Sequence, residues 1–599
     1  MAGKVLELST IITEHTLGCE IGRNYQSWEL ARAPKIREWQ ELQQYIFATD
    51  TTKTSNSKLP WSNKTTIPKL CQIRDNLHAN YIASMFPKRA WMDWEGDSDE
   101  NEESPKVEAI ESYMSWVVDR NEFYDEMVKA VYDYIDYGNV FVMPDWIDKT
   151  QVGFKTIKER VGYVGPVFRR ISPLDIVFNP TAPSFLESPK IIRSLISIGE
   201  VKEIIEASSF PEDQREDARK LYDYMQEIRN TAKSHVGTIA SKDDLYDISG
   251  FDSYQTYLTS GTVELLTFYG DIYDMVTDTY LRNYEIKVVD RHCVLSKRPN
   301  PSYFGSAPIY HAGWRVRPDN LWAMGPLDNL VGMQYRIDHL ENLKADIFDL
   351  TAFPVLKIKG HVEDFDWGPF ERIYVGDSGD VIPITIDAQV LSAETQIKEL
   401  EAKMEEMAGS PKEAAGFRTP GEKTMYEVQR LELAAGRIFQ NKINQFERQI
   451  TENILNAMLE LARRMIDKTT IRIFDNDLKI ANFRVVSAED ISGAGRIRPV
   501  AARHFAERAL KVQDLNNFFS SRAGSDPSVL MHFSGVKLAK MWEELLNLED
   551  DHIVLPYVRI AEQADAAKMT HAAQQDAAMV SATPTNHLPG DVDPTKLGE

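Results

Sequence analysis

The chain has 599 residues, of which 43% are hydrophobic and 27% charged, with a formal net charge of −23. That length holds several domains, the absence of any run of eighteen apolar residues argues against a transmembrane helix, and the three distant cysteines Cys19, Cys71 and Cys293 support neither a disulfide framework nor a zinc knuckle. The negative charge argues against a protein that grips nucleic acid over its whole surface, but an acidic wall with a few local cations can still conduct it. The opening residues MAGKVLELSTIITEHTLG lack the basic start and apolar centre of a secretory leader, so synthesis in a reducing cytoplasm is expected.

In chain order, residues 23–48 and 64–86 read as helices, with Trp28, Trp39, Leu70, Ile73, Leu77 and Ile82 as core candidates. Residues 93–104 form an acidic break, and an aromatic-rich helix is expected from Pro105 to Tyr137. Strands are expected at 152–158 and 162–171, then a turn-rich ISPLDIVFNPTAP. Helices at 199–207 and 212–232 and a polar loop at 233–252 precede strands at 262–270, 279–288 and 291–297.

Residues 327–350 carry Leu330, Met333, Ile337, Leu340, Leu343, Ile347 and Leu350 in steps of three and four, one helical face. Residues 353–391 switch to strand chemistry. Ile382, Ile384 and Ile386 alternate with Pro383 and Thr385, and the expected partner is Phe370–Val375, joined through Gly376–Asp380. Ser392 opens a second helix with Ile397, Leu400, Met404 and Met407 on one side, stopped by Gly409 and Pro411. The loop 410–423 holds Lys412, Arg418 and Lys423. Thr424 and Glu427 then form a capping box that launches a helix of roughly 40 residues to Ile466, about 60 Å long. A β region at 470–486, helices near 500–520 and 535–548, and a disordered last fifteen residues complete the expectation.

Several motifs suggest chemistry without its requirements. Gly416–Thr424 nearly spells a phosphate-binding loop, but Glu422 separates Gly421 from Lys423 and no buried strand precedes it. Gly376-Asp377-Ser378-Gly379 echoes a serine-protease nucleophile without its His and Asp context, and a hairpin turn explains it. Asp97, Asp99, Asn101 and Glu108 have calcium-loop spacing, but Glu102 occupies the obligatory glycine position. No HExxH or comparable histidine pair exists. No catalytic residue, cofactor or metal site is therefore expected.

The order helix, compact β segment, helix, basic loop, long helix resembles the portal, or head-to-tail connector, of tailed bacteriophages. Gly421-Glu422-Lys423-Thr424-Met425-Tyr426-Glu427-Val428 is similar to that family's Gly-Glu-x-Thr-Ala-x-Glu-Val, with Met425 as a departure. Ser172-Pro173-Leu174-Asp175 with Asn179-Pro180, and Trp314-Arg315 leading through Gly325 and Pro326 to Gln334, resemble its wing and stem approach. The resemblance implies a mostly helical α+β portal fold: wing 1–326, first stem helix 327–350, clip 351–391, second stem helix 392–409, tunnel loop 410–423, long wing helix and β segment 424–499, crown 500–580 and tail 581–599. Stem packing would fall to Leu330, Met333, Ile337, Leu340, Ile347, Ile397, Leu400 and Met404. Lys412, Arg418 and Lys423 would face DNA.

The resemblance further implies a ring of about twelve subunits at one capsid vertex of the virion, assembled in the host cytoplasm, with double-stranded DNA in its channel. Its partners would be terminase, then tail adaptor proteins, and the major capsid protein, with no membrane. The size and compact clip look most like portals of short-tailed phages. The rival readings are a packaging-associated nucleotide-binding enzyme and a monomeric virion scaffold or adaptor protein.

Overall fold

A computed structural model of the chain describes residues 16–48, 62–86, 91–98, 106–151, 160–207, 210–234, 261–274, 277–301, 308–360, 362, 373–375, 379–384, 393–408, 441–466, 468–475, 480–499 and 515. Contacts divide the chain into two compact units, residues 1–472 with 483–503, and residues 473–482 with 504–599. The architecture is α+β; the described residues are about half helical and 29% strand.

A five-stranded antiparallel sheet organises the first unit. Its order is β4 (Ile176–Phe178), β5 (Lys190–Ser197), β6 (Thr262–Asp274), β7 (Thr279–Val289) and β8 (Cys293–Pro299). Side chains alternate across a strand, so neighbours serve opposite faces. Leu266 and Val288 pack on one side with Leu17, Ile21 and Tyr25 of α1 (Leu17–Ile46). Leu265 and Val289 pack on the other with α5 (Ile198–Glu206) and α6 (Glu212–Ser234), through Val201, Ile205 and Met225. Helix α1 approaches so closely that a Cβ on Gly18 would lie 2.0 Å from the His292 carbonyl oxygen, and one on Gly22 2.3 Å from that of Arg291.

On the α1 side, buried Glu264 accepts from Arg193 and Arg291, each at 2.7 Å. Burial raises the Glu264 carboxyl, but the two guanidiniums outweigh it and hold it below its ordinary range.

The second sheet runs β3 (Arg160–Ile171), β2 (Asn139–Gln151), β9 (Tyr310–Gly313). Strand β2 was not expected from sequence, and its Pro144 has no N–H to give to a ladder. Strand β9 pairs only as far as Val142, so Pro144 lies beyond its partner on that side. Behind these strands Trp39, Phe141, Phe178, Phe185 and Trp322 form an aromatic core. His311 stacks on Phe141 within it, 4.7 Å between ring centroids. Burial drives its imidazole down to about 3, so it stays neutral.

Other expectations change at identifiable points. The helix expected over 105–137 is two, α3 (Lys106–Arg120) and α4 (Phe123–Asp136), because Glu122 turns left-handed at φ 59°. The helix expected from 64 starts later, as α2 (Lys69–Met85) behind Pro68, leaving 62–67 without helix or strand. The expected acidic break holds β1 (Met92–Gly96), paired with β16 (Gly495–Pro499). Strands 262–270, 279–288 and 291–297 and the β region 470–486 are found, the last as the paired strands β14 (Lys468–Asp475) and β15 (Ile480–Ser487). The strand expected at 152–158 and the helices near 500–520 and 535–548 lie outside the described residues, apart from helical residue 515. Among the described residues, no helix is long and apolar enough to cross a membrane.

One local device recurs. Asn139, Gln214, Asn342 and Asn456 each accept from the N–H and donate to the C=O of a single residue, respectively Ala323, Lys297, Thr65 and Ile497. A side-chain amide thus acts as one rung of a sheet where no strand is present.

Candidate functional site

The central assembly consists of α7 (Val331–Ala352), the hairpin β12 (Leu356–Lys359) and β13 (Asp380–Pro383), and α8 (Ala393–Ala408). The two helices pack together and the hairpin is antiparallel, with Leu356 opposite Pro383 and Lys359 opposite Asp380. This corrects the expected pairing. Residues 380–383 meet 356–359, whereas Val375 bridges Val362. Strands of four residues favour neither arrangement locally, so the outer pairing follows from the helices that carry both arms.

The expected stem residues divide. Leu330, Ile337 and Leu340 are buried on or just before α7, as are Ile397 and Met404 on α8. Met333, Ile347, Leu350 and Leu400 are half-buried, and Leu343 and Met407 are exposed. Helix α7 has a second buried stripe that hydrophobic periodicity did not find: Gln334, Asp338 and Asn342, continued by Asp346.

That stripe holds the segment 62–67 as a strap. The Asn63 N–H donates to Asp346 at 2.6 Å, and its amide reaches Asp346 at 2.9 Å and Asp349 at 2.8 Å. Asn342 takes both backbone groups of Thr65 at 2.8 and 2.9 Å. Asp338 accepts from the Ile67 N–H at 3.0 Å and the Thr66 hydroxyl at 2.9 Å. Gln334 donates to the Ile67 carbonyl at 2.6 Å and accepts from the Leu70 N–H at 3.0 Å.

The fit is geometric. Four residues of helix rise about 6 Å and two residues of extended chain about 6.7 Å, so alternate strap residues 63, 65 and 67 meet successive rungs at 346, 342 and 338. The strap runs antiparallel to α7. Burial raises the Asp338 carboxyl, opposed by its bonds from Ile67, Gln334 and Thr66. Just beyond the strap, Lys69 of α2 forms an ion pair with Glu405 of α8, both nearly buried. One short stretch therefore ties both helices to the N-terminal part of the chain.

Past Asn342 the surroundings open. Phe348 is 56% exposed, Phe353 69%, Val355 55% and Ile358 55%, with Tyr374 at 63% and Ile382 at 47%. A hairpin of this size with so much apolar surface is marginal in water by itself.

The helix expected over 424–466 is described from residue 441. Residues 441–446 lead into a π turn at Glu447–Thr451 and then α9 (Glu452–Met465). Asn456 and Arg463 fasten α9 to the segment 491–497, Arg463 donating to the carbonyls of Ile491 at 2.7 Å and Gly493 at 2.6 Å. Lys412, Arg418 and Lys423 lie outside the described residues, as do Ser378 and the near phosphate-binding loop. Among the described residues, no group of His, Cys, Asp and Glu has the arrangement of a metal site. Among known proteins, no family model matches this chain, and no curated protein sequence matches it.

Proposed function

We propose that this chain is a portal protein, the subunit of a ring at one capsid vertex. The ring is the channel for double-stranded DNA during packaging and ejection, and the platform on which terminase and then tail adaptor proteins dock. The observation that carries this reading is the anchored helix pair α7–α8 projecting a β hairpin whose apolar side chains are exposed on the single chain. Covering a half-exposed large apolar side chain is worth roughly 1 kcal/mol, so a neighbouring copy seated along this surface gains several such terms at once. Repetition around a cyclic ring gives every copy the same neighbour. The order of elements and the Gly421–Val428 pattern point the same way.

On this reading the protein has no hydrolytic activity of its own, and Lys412, Arg418 and Lys423 form a cationic belt in the channel. Electron microscopy of the purified chain tests the proposal. A closed ring with a central hole and about ten or more subunits is expected, and a stable monomer across salt conditions overturns it. Replacing the three loop cations with Ser leaves rings intact and shortens or destabilises packaged DNA; unchanged packaging removes the belt from the proposal.

A further inference from the structure

Between β9 and α7 lies a short hairpin, β10 (Arg315–Arg317) and β11 (Asn320–Met324). All three residues of β10 are exposed. Two exposed arginines in an acidic chain ordinarily find carboxylates. On β16 they do: Arg498 bonds Glu95 at 2.7 Å, and Arg496 reaches Glu95 and Glu452 at 3.4 and 3.5 Å. Among the described residues Arg315 and Arg317 form no ion pair, and Arg317 donates only to the weak acceptor Sδ of Met324 at 3.0 Å. Asp319 is the sole acid within the hairpin.

A third cation stands behind them. Lys442 donates from Nζ to the carbonyl of Trp314, the residue before Arg315. Burial, then the charge of Arg315, pushes this ammonium below its ordinary range. Three positive charges thus gather at one exposed strand in a chain of net charge −23.

We propose that the β10–β11 hairpin is a contact for the phosphate backbone of double-stranded DNA, made by Arg315 and Arg317 with Lys442 behind them. The planar guanidinium matches phosphate oxygens in a two-pronged geometry. Arg315 and Arg317 lie two residues apart on an exposed strand whose register shifts between them, a separation of at most about 7 Å, and one DNA strand places a charge every 3.4 Å or so of axis, so both arginines are within reach of a single strand. That the polyanion is DNA rests on the portal reading; the cationic site does not.

The test measures binding of a labelled 30-base-pair duplex against salt for three proteins: the unmodified chain, Arg315→Ser/Arg317→Ser, and Arg496→Ser/Arg498→Ser. The two variants lose the same net charge. Each phosphate contact adds about 0.9 to the slope of log affinity against log salt. The hairpin variant should lose about 1.8 from that slope, so the affinity drop between 50 and 200 mM salt shrinks about tenfold, while the β16 variant keeps its slope. Equal losses in both variants, or none in the hairpin variant, overturn the proposal. Sedimentation of the same samples reads ring assembly separately, so failure of the portal reading shows there and not in the salt slope. Matching thermal melts confirm that both variants fold.

Discussion

In its first three turns α7 buries Gln334, Ile337, Asp338, Leu340 and Asn342, whose side chains bond the backbone of Thr65 and Ile67; in its last three it carries Leu343 and Phe348 outward and leads into a hairpin that is apolar on its surface. The first region is complete within one chain, its polar groups satisfied, which is the condition for burying them without loss. The second leaves apolar surface that one chain does not cover. Regions finished internally carry fold stability, whereas unfinished ones carry association. On the proposed reading the same helix has two separable roles, and mutations can be sorted by the half they touch.

The largest effect is expected from the unfinished half. Phe348→Glu with Phe353→Glu and Ile358→Glu puts charge on the surface proposed to meet a neighbouring copy. Native mass measurement should show monomer where the unmodified chain gives rings, with the far-ultraviolet circular dichroism unchanged. Rings from the triple variant would show that the apolar hairpin is no interface. In that assembly-deficient background the finished half is then measured by urea unfolding. Lys69→Ala removes the ammonium facing buried Glu405 and should cost roughly 3 kcal/mol, since breaking a buried pair costs far more than the pair contributes. Asp338→Ala removes the acceptor of the Ile67 N–H and the Thr66 hydroxyl and should cost about 2 kcal/mol. Losses below 0.5 kcal/mol in both would mean that the strap is not what anchors α7.

Acidity probes the internally completed parts of the molecule. His311 belongs to the finished part, and its folded value near 3 lies below the ordinary 6.5 or so of an unfolded histidine. Its contribution is fully present above about pH 6.5. Below that the unfolded chain takes up a proton that the folded chain refuses, so stability falls by roughly 1.4 kcal/mol per unit down to about pH 3. Asp338 acts in the opposite sense. Its carboxyl is raised, so its contribution is kept in acid and lost as pH rises through the folded value. His311→Gln should flatten the acid limb of the stability profile, and an unchanged limb would assign that slope to other groups.

Helices α7 and α8 were legible in the sequence because Leu330, Ile337, Leu340, Ile397 and Met404 repeat at helical spacing and are buried. The strap was not. Gln334, Asp338, Asn342 and Asp346 repeat every four residues, but a polar row at that spacing reads as a solvated face unless the backbone it serves is known to lie beside it. Gln334 entered only through the portal resemblance. The hairpin register was misread because Ile382–Ile386 offers alternation on either side, and the choice between 356–359 and 370–375 is made by helices outside the strand. The break at Glu122 depends on one left-handed residue in an otherwise helical stretch, for which Glu carries no signal. Arg315 was legible as a motif residue. Its lack of a carboxylate partner depends on what packs nearby, which spacing does not encode.

The smallest expected effect gives the sharpest division. Leu343 follows Asn342 directly, so it sits at the boundary where the strap ends, and it is 37% exposed. Gln has nearly the same helix propensity as Leu and a similar length. In the assembly-deficient background Leu343→Gln should change unfolding free energy by no more than about 0.5 kcal/mol, as for other surface positions without special contacts. In the assembly-competent chain it should raise the concentration needed to form rings, because each subunit loses apolar surface at the proposed contact. Both quantities are read from one variant, by urea titration and by sedimentation over a dilution series. A loss of 2 kcal/mol or more in the isolated chain would move the boundary past Leu343 and make it core. No change in either measurement would place it outside the interface, leaving Phe348 and the hairpin to carry association alone.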